Sequence, residues 1–336
     1  MKLLIVTQRV DKKDPILGFF HRWVEEFAKK CDHVTVIGQM VGEYNFPKNV
    51  TVKSLGKEKG SFKVFQIIRF WFLQWKLRKQ YDRVLVHMTP IWIVLGALSW
   101  GLLRKPMYLW YEARGGGLSM RFATLLARKV FSASAYGMPI KSNKSRVMGH
   151  GIDMERFKPG VERDKNLIAT VGRITKAKQF SLIIDVLGDL PDQYFLELVG
   201  VTMTRSDTQL KKDLLSKINS NGLRERVSIQ KLDQDALAQL LSRTQLFIHA
   251  SHTGLDKAVL EAMASGCLVA SCGKAFADVL PSECFAQSDD ELKSVTKDLL
   301  NLSEKEDMAM RALLRSIAEK YFSLNTLIEN LARELK

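Results

Sequence analysis

Gly254, Asp256, Lys257 and Glu261 stand close together in the stretch Ser251-His-Thr-Gly-Leu-Asp-Lys-Ala-Val-Leu-Glu-Ala-Met-Ala-Ser-Gly-Cys-Leu-Val-Ala-Ser271. Gly254 and Asp256 read as a tight turn and a helix N-cap. Backbone N–H groups of Gly254 to Lys257, with the helix dipole, favour an anion there. Glu261 follows one turn further on, placed to accept hydrogen bonds from a ribose diol. A diphosphate at the helix start and a ribose on the carboxylate fit a nucleotide diphosphate sugar. The same residues also fit an ordinary crossover helix with a surface Glu.

The flanking elements position these groups. Residues 246–250 are apolar and read as a buried strand, 257–264 as a short helix stopped by Gly266, and 267–270 as the next strand. Strand, glycine turn, helix and strand make a crossover unit of a parallel sheet. Upstream, strands are expected at 2–7, 33–37, 82–87, 106–111, 130–134, 166–171, 194–199 and 227–231. Helices are expected at 19–30, 61–80, 91–103, 118–128, 180–187, 207–219 and 234–242, and two more at 304–320 and 324–335. The first helix carries Phe20, Trp23, Val24 and Phe27 on one face.

Ligands of open α/β sheets bind outside the C-terminal strand ends. His87 ends one strand, and the loop Glu112-Ala-Arg114-Gly-Gly-Gly117 ends another. Both point to a ligand, although a strand-end His equally serves the core and a glycine run equally makes a mobile loop. Gly18 is a lone glycine after the first strand, without a full dinucleotide fingerprint. A tight turn alone explains it equally well.

A chain of 336 residues holds two domains, each able to bury its own core. Hydrophobic residues make up 46%, and no run is long enough to cross a bilayer. The apolar residues 91–103 fall short. No signal peptide is expected at the start, since Lys2 is followed at once by Leu-Leu-Ile-Val. Cys31, Cys267, Cys272 and Cys284 lack metal-site spacing and read as small core residues in a reducing compartment.

The charge is uneven. Residues 1–150 hold 26 Lys and Arg against 9 Asp and Glu, whereas the remainder holds 25 against 27. A basic half beside a near-neutral half implies that one domain faces a polyanion. Residues 61–80 set Phe62, Phe65, Phe70, Trp71, Phe72 and Trp75 among Lys63, Arg69, Lys76, Arg78 and Lys79. That is more aromatic surface than one core-facing stripe needs. It suits a helix lying at an anionic headgroup layer, where each basic residue contributes about 1 kcal/mol.

The stretch from Gly254 to Gly266 resembles the donor-site signature of retaining GT-B glycosyltransferases, especially glycosyltransferase family 4. Gly254-Leu255, Glu261 and Ala-Met-Ala-Ser-Gly266 match it. Thr253 stands where the family has its first Glu, and Ala113 where many members have a sugar-contacting His. Met148-Gly-His-Gly-Ile-Asp153 with Phe157 and Pro159 resembles the family's domain junction. The resemblance gives Arg173 and Lys178, after Gly172, the task of binding the donor diphosphate. Both cations would stabilise charge on the leaving phosphates. It places Gly200 at the nucleotide, Gly18 at the interdomain cleft, and Glu112 and Arg114 near substrate with His87 as a substitute contact.

The resemblance thus implies an α/β chain of GT-B type, with two Rossmann-like domains facing a deep cleft. The expected bounds are 1–160, 161–318, and a terminal helix at 319–336 returning to the first domain. The implied reaction is retaining transfer of a hexose from a nucleotide diphosphate sugar to an acceptor hydroxyl. No metal is expected, because Arg173 with Lys178 can stabilise the charge on the leaving phosphates. The expected partners are a lipid-linked acceptor saccharide and an anionic membrane surface at the cytoplasmic face, without nucleic acid. Two alternatives are a nucleotide-binding relative that transfers nothing, motivated by Thr253 and Ala113, and a basic nucleic-acid-binding protein. The latter lacks a recognisable reader motif.

Overall fold

The structure, a computed structural model, describes all residues except Pro15 and Arg114. The chain divides into two units, Met1–Gly151 with Leu324–Lys336, and Ile152–Ser323. Each is built on one parallel sheet.

The first unit contains β1 (Lys2–Val10), β2 (His33–Val41), β3 (Val50–Ser54), β4 (Arg83–His87), β5 (Met107–Trp110), β6 (Lys129–Ser132) and β7 (Ser145–Val147). Their order is β3-β2-β1-β4-β5-β6-β7. Alternation along β1 sends Leu3 and Ile5 to one core and Leu4 and Val6 to the other. The first core is closed by α1 (Phe19–Lys30) and by the C-terminal helix (Leu324–Glu334), through Phe20, Trp23, Leu327 and Leu331. The second is closed by α2 (Lys63–Lys76), α3 (Ile91–Leu102) and α4 (Gly117–Leu126), through Phe70, Trp92, Trp100 and Met120. Each such fully buried side chain contributes about 1.5–3 kcal/mol.

The second unit contains β8 (Asp164–Val171), β9 (Phe195–Val199), β10 (Val227–Gln230), β11 (Thr244–His249) and β12 (Leu268–Ser271), in the order β10-β9-β8-β11-β12. Its helices are α5 (Phe180–Gly188), α6 (Arg205–Ser220), α7 (Gln234–Arg243), α8 (Lys257–Ala264), α9 (Glu291–Leu300) and α10 (Glu304–Phe322); the C-terminal helix is α11. The strand order reverses between β8 and β11, so the loops after these two strands diverge and leave a crevice. Gly266 ends α8 at φ 72°, while Cys267 N–H bonds back to Ala262 O at 3.0 Å. Glycine adopts this left-handed turn without a Cβ penalty.

The division falls at Gly151–Ile152, not at 160, because Ile152 and Phe157 pack in the second core. It falls again at Ser323–Leu324, not at 318, because Ala318 and Phe322 stay in that core while Leu324 enters the first. Among the described residues, no helix is long and apolar enough to cross a membrane.

Candidate functional site

Three loops build the site in the second unit. Gly172 to Lys178 follow β8, Gly200 follows β9, and Ala250 to Asp256 follow β11 and lead into α8. The first two loops touch: Ile174 N–H donates to Val201 O at 3.0 Å. A Cβ on Gly200 would lie 2.7 Å from Gly172 O and 2.8 Å from Ile174 Cγ1. Only glycine fits at this approach. Gly172 in turn carries the stem of Lys178, whose Cε would stand 3.1 Å from an added Cβ.

Lys178 therefore runs across the loop to the start of α8. Its Nζ donates to Asp256 Oδ2 at 2.5 Å, and His249 Nε2 stands 2.7 Å from the same oxygen. His249 Nδ1 lies 2.8 Å from Ser271 Oγ, which accepts from Gly273 N–H at 3.1 Å. The network assigns a neutral tautomer. Gly273 N–H donates to Ser271 Oγ, the Ser271 hydroxyl donates to Nδ1, and Nε2–H donates to Asp256. Burial lowers the His249 pKa, outweighing the Asp256 carboxylate that would raise it. Burial alone would raise the Asp256 carboxyl, but the hydrogen bond from His249 and the Lys178 charge hold it well below the usual range.

Asp256 is the N-cap residue of α8, as expected, but its side chain makes no capping bond. The carboxylate is turned into the Lys178–His249 network instead. Leu255, buried at its neighbour position, anchors the loop in the core. Thr253 Oγ1 lies 2.8 Å from Ser251 Oγ, with Gly254 beside it in the same loop. Lys257 Nζ stands 2.8 Å from Glu261 Oε1, one helical turn apart. Glu261 is buried, so the surface-Glu alternative does not describe it.

Arg173 leaves the same loop as Lys178 but is half exposed. Its Nε sits 3.6 Å from Asp207 Oδ2, at a side-chain exposure of 53%. Asp207 closes a capping box with Thr204 at the start of α6. Arg173 thus lies beside the N-terminus of α6, paired with Asp207.

The first-unit residues behave differently. Gly18 closes a tight turn, where a Cβ would meet Asp14 O at 2.5 Å. Asp14 braces that turn by accepting from Ile16 N–H at 2.9 Å and Leu17 N–H at 2.7 Å. His87 is corrected from a substrate contact to a core residue. Its ring stacks on Phe20 at 4.0 Å and its Nδ1 pairs with Thr7 Oγ1 at 3.1 Å. Glu112 is likewise corrected, because its carboxylate is used within the fold. It accepts from the Ser132 hydroxyl, from Ala133 N–H at 2.7 Å, from Ser134 N–H at 3.1 Å and from the Ser134 hydroxyl at 2.8 Å. Arg114 lies outside the described residues.

His249 and Ser271 were not singled out from sequence. A histidine inside the apolar run before Ala250 was the available signal. Beside them, His252 Nε2 and Cys272 Sγ both meet Asp289 Oδ1, at 2.8 and 3.2 Å. Among the described residues this is the group whose atoms could hold a metal ion, all within 4.8 Å of one another. Burial, with Asp289 adjacent, pushes the Cys272 thiol up to about 12, so it stays protonated and donates to the carboxylate. Hydrogen bonding accounts for the grouping.

Residues 151–278 match the family Glycosyl transferases group 1. In fold the chain is similar to HepE of Anabaena in complex with UDP, at 18% identity, 100% coverage of this chain, 99% of that one and a TM-score of 0.77. It is also similar to sucrose-phosphate synthase of Thermosynechococcus elongatus, at 15% identity, 99% and 98% coverage and a TM-score of 0.79. A third likeness is to WaaG, a glycosyltransferase involved in lipopolysaccharide biosynthesis, at 17% identity, 99% coverage of both chains and a TM-score of 0.66. At these identities the likeness establishes the fold, an α/β chain of GT-B class with two Rossmann-like units. No curated protein matches in sequence.

Proposed function

We propose that this chain is a glycosyltransferase that moves a hexose from a nucleotide diphosphate sugar to an acceptor hydroxyl with retention of configuration; its residues 151–278 match the group 1 family. The observation that carries this reading is the Lys178–Asp256 pair, which ties the loop after β8 to the start of α8 at the point of strand reversal. Cationic groups and a helix N-terminus there suit a diphosphate. HepE, similar in fold, was solved with UDP and with UDP-glucose.

In this reading Lys178 and Arg173 bind the diphosphate, and Gly172, Gly200 and the loop Thr253 to Lys257 surround it. Glu261 takes the ribose hydroxyls. As the glycosidic bond breaks, negative charge grows on the leaving phosphate, and the two cations stabilise it without a metal. The leaving phosphate accepts the proton of the acceptor hydroxyl, so no protein base is needed. Gly18 shapes the turn after β1.

The acceptor is proposed to be a lipid-linked saccharide at the inner face of the cell membrane, with the basic first unit facing the bilayer. The enzyme would then belong to cell-surface polysaccharide or glycolipid synthesis. The test is release of nucleoside diphosphate from a panel of sugar nucleotides, with and without membrane extract. Release from one donor, accelerated by extract, supports the reading. No release from any donor favours a binding protein that transfers nothing.

A further inference from the structure

We infer that α2, α3 and α4 together form a face that seats the first unit on an anionic bilayer, embedding apolar side chains from all three helices. This deepens the reading of an enzyme meeting its acceptor at a membrane, and it rests on that reading.

The three helices cover one side of the first sheet, with α3 packed against both α2 and α4. Trp71 of α2 donates from Nε1 to Leu95 O of α3 at 2.8 Å, and Ser99 of α3 donates to Gln74 of α2. Their inward residues close the core. Their outward residues are also apolar. Phe62, just before α2, is 77% exposed, Leu98 of α3 is 79% exposed and Leu118 of α4 is 70% exposed. Phe65, Phe72 and Trp75 of α2, Leu102 of α3, and Phe122 and Leu125 of α4 are exposed as well.

Scattered apolar residues are normal on a protein surface, but a contiguous set of this kind marks an interaction site. A helix apolar on every side belongs inside a large core or in lipid. α3 has no charged residue at all, yet one side of it is uncovered.

Charge commits the occupant. Between Glu58 and Asp153 the only acids are Asp82 and Glu112. Asp82 accepts from Lys2 N–H at 3.1 Å, and Glu112 is bound internally. The three helices therefore hold no carboxylate. Lys63, Arg69 and Lys76 on α2 and Arg121 on α4 are exposed, as are Arg78, Lys79, Arg104 and Arg128 just beyond the helix ends. Exposed aromatics and aliphatics among cations, without acids, match the headgroup layer of an anionic leaflet.

The experiment is co-sedimentation of the full chain, without substrates, with phosphatidylcholine vesicles and with vesicles that also contain phosphatidylglycerol. Binding is expected to the anionic vesicles, weakened by salt. Leu98→Glu with Phe122→Glu, which leaves α2 intact, is expected to lower it roughly tenfold or more. Quenching of the native tryptophans by brominated lipid provides a second readout that needs no variant. Wild-type quenching is expected. Equal binding by the double variant, or absent vesicle binding with no quenching, overturns the inference. So does a wild-type dimer that the double variant converts to monomer. Protection by nucleoside diphosphate, measured in parallel, tests the donor reading separately, since these variants lie in the other unit.

Discussion

Lys178 Nζ lies 2.5 Å from Asp256 Oδ2, although 78 positions separate them in the chain. The cation comes from the loop after β8 and the carboxylate from the start of α8. His249 Nε2 holds the same carboxylate oxygen at 2.7 Å. Lys178 is thereby kept extended at the place where the diphosphate is proposed to bind. Little side-chain entropy remains to be lost when phosphate arrives.

Lys178→Ala is expected to lower donor-dependent turnover by roughly 10²–10³-fold, the size of removing one charge-stabilising group from a transition state. Asp256 keeps its His249 bond in that variant, so the fold should persist. Steady-state kinetics and circular dichroism together check this. Normal turnover contradicts the diphosphate role.

Acid should destabilise the first unit through His87. Burial lowers its pKa to about 3 from an ordinary 6.5, so native His87 refuses a proton that the unfolded chain takes up. Its contribution is fully present above pH 6.5 and falls as pH drops toward 3. Between pH 7 and 5 this amounts to about 2 kcal/mol. Urea unfolding of wild type and His87→Gln at both pH values checks it. The variant should lose less stability on acidification, and an equal loss speaks against the buried neutral ring.

Gly200→Ala should lower the melting temperature and weaken nucleoside diphosphate binding together. The added Cβ meets a backbone oxygen, Gly172 O at 2.7 Å, and cannot be relieved by rotating a side chain. A cost of about 1–3 kcal/mol is expected. Calorimetric melting and titration with nucleotide measure both effects.

Glu112→Gln separates structure from chemistry. Two backbone N–H groups and two hydroxyls lose a charged acceptor, at a cost of about 1–3 kcal/mol in stability. Since the carboxylate is used within the fold, kcat of the folded fraction should stay near wild type. A large fall in kcat with unchanged stability contradicts that placement.

Much of the fold was legible because buried parallel strands are short apolar runs and α1 is plainly amphipathic. β7, with the sequence Ser-Arg-Val, gave no such signal, and neither did the mixed β3, Val-Thr-Val-Lys-Ser. The site was legible as a loop and a helix start but not as a network. Local sequence cannot distinguish an Asp that caps its own helix from one that pairs with a distant Lys. His87 is a similar case, because its direction is set by Phe20 and Thr7, brought to it by tertiary packing. The aromatic surplus of α2 was visible in its spacing. The share of α3 and α4 was not, because an apolar helix reads as buried.

The most direct test is a thermal-shift titration of wild type and Lys178→Ala with uridine, guanosine and adenosine diphosphates. A ligand that binds only the folded chain raises its melting temperature. The account predicts that one of the three raises the wild-type value and that the shift largely disappears in Lys178→Ala. No shift with any of them, or the same shift in both proteins, would contradict the claim that Lys178 and the start of α8 hold a diphosphate.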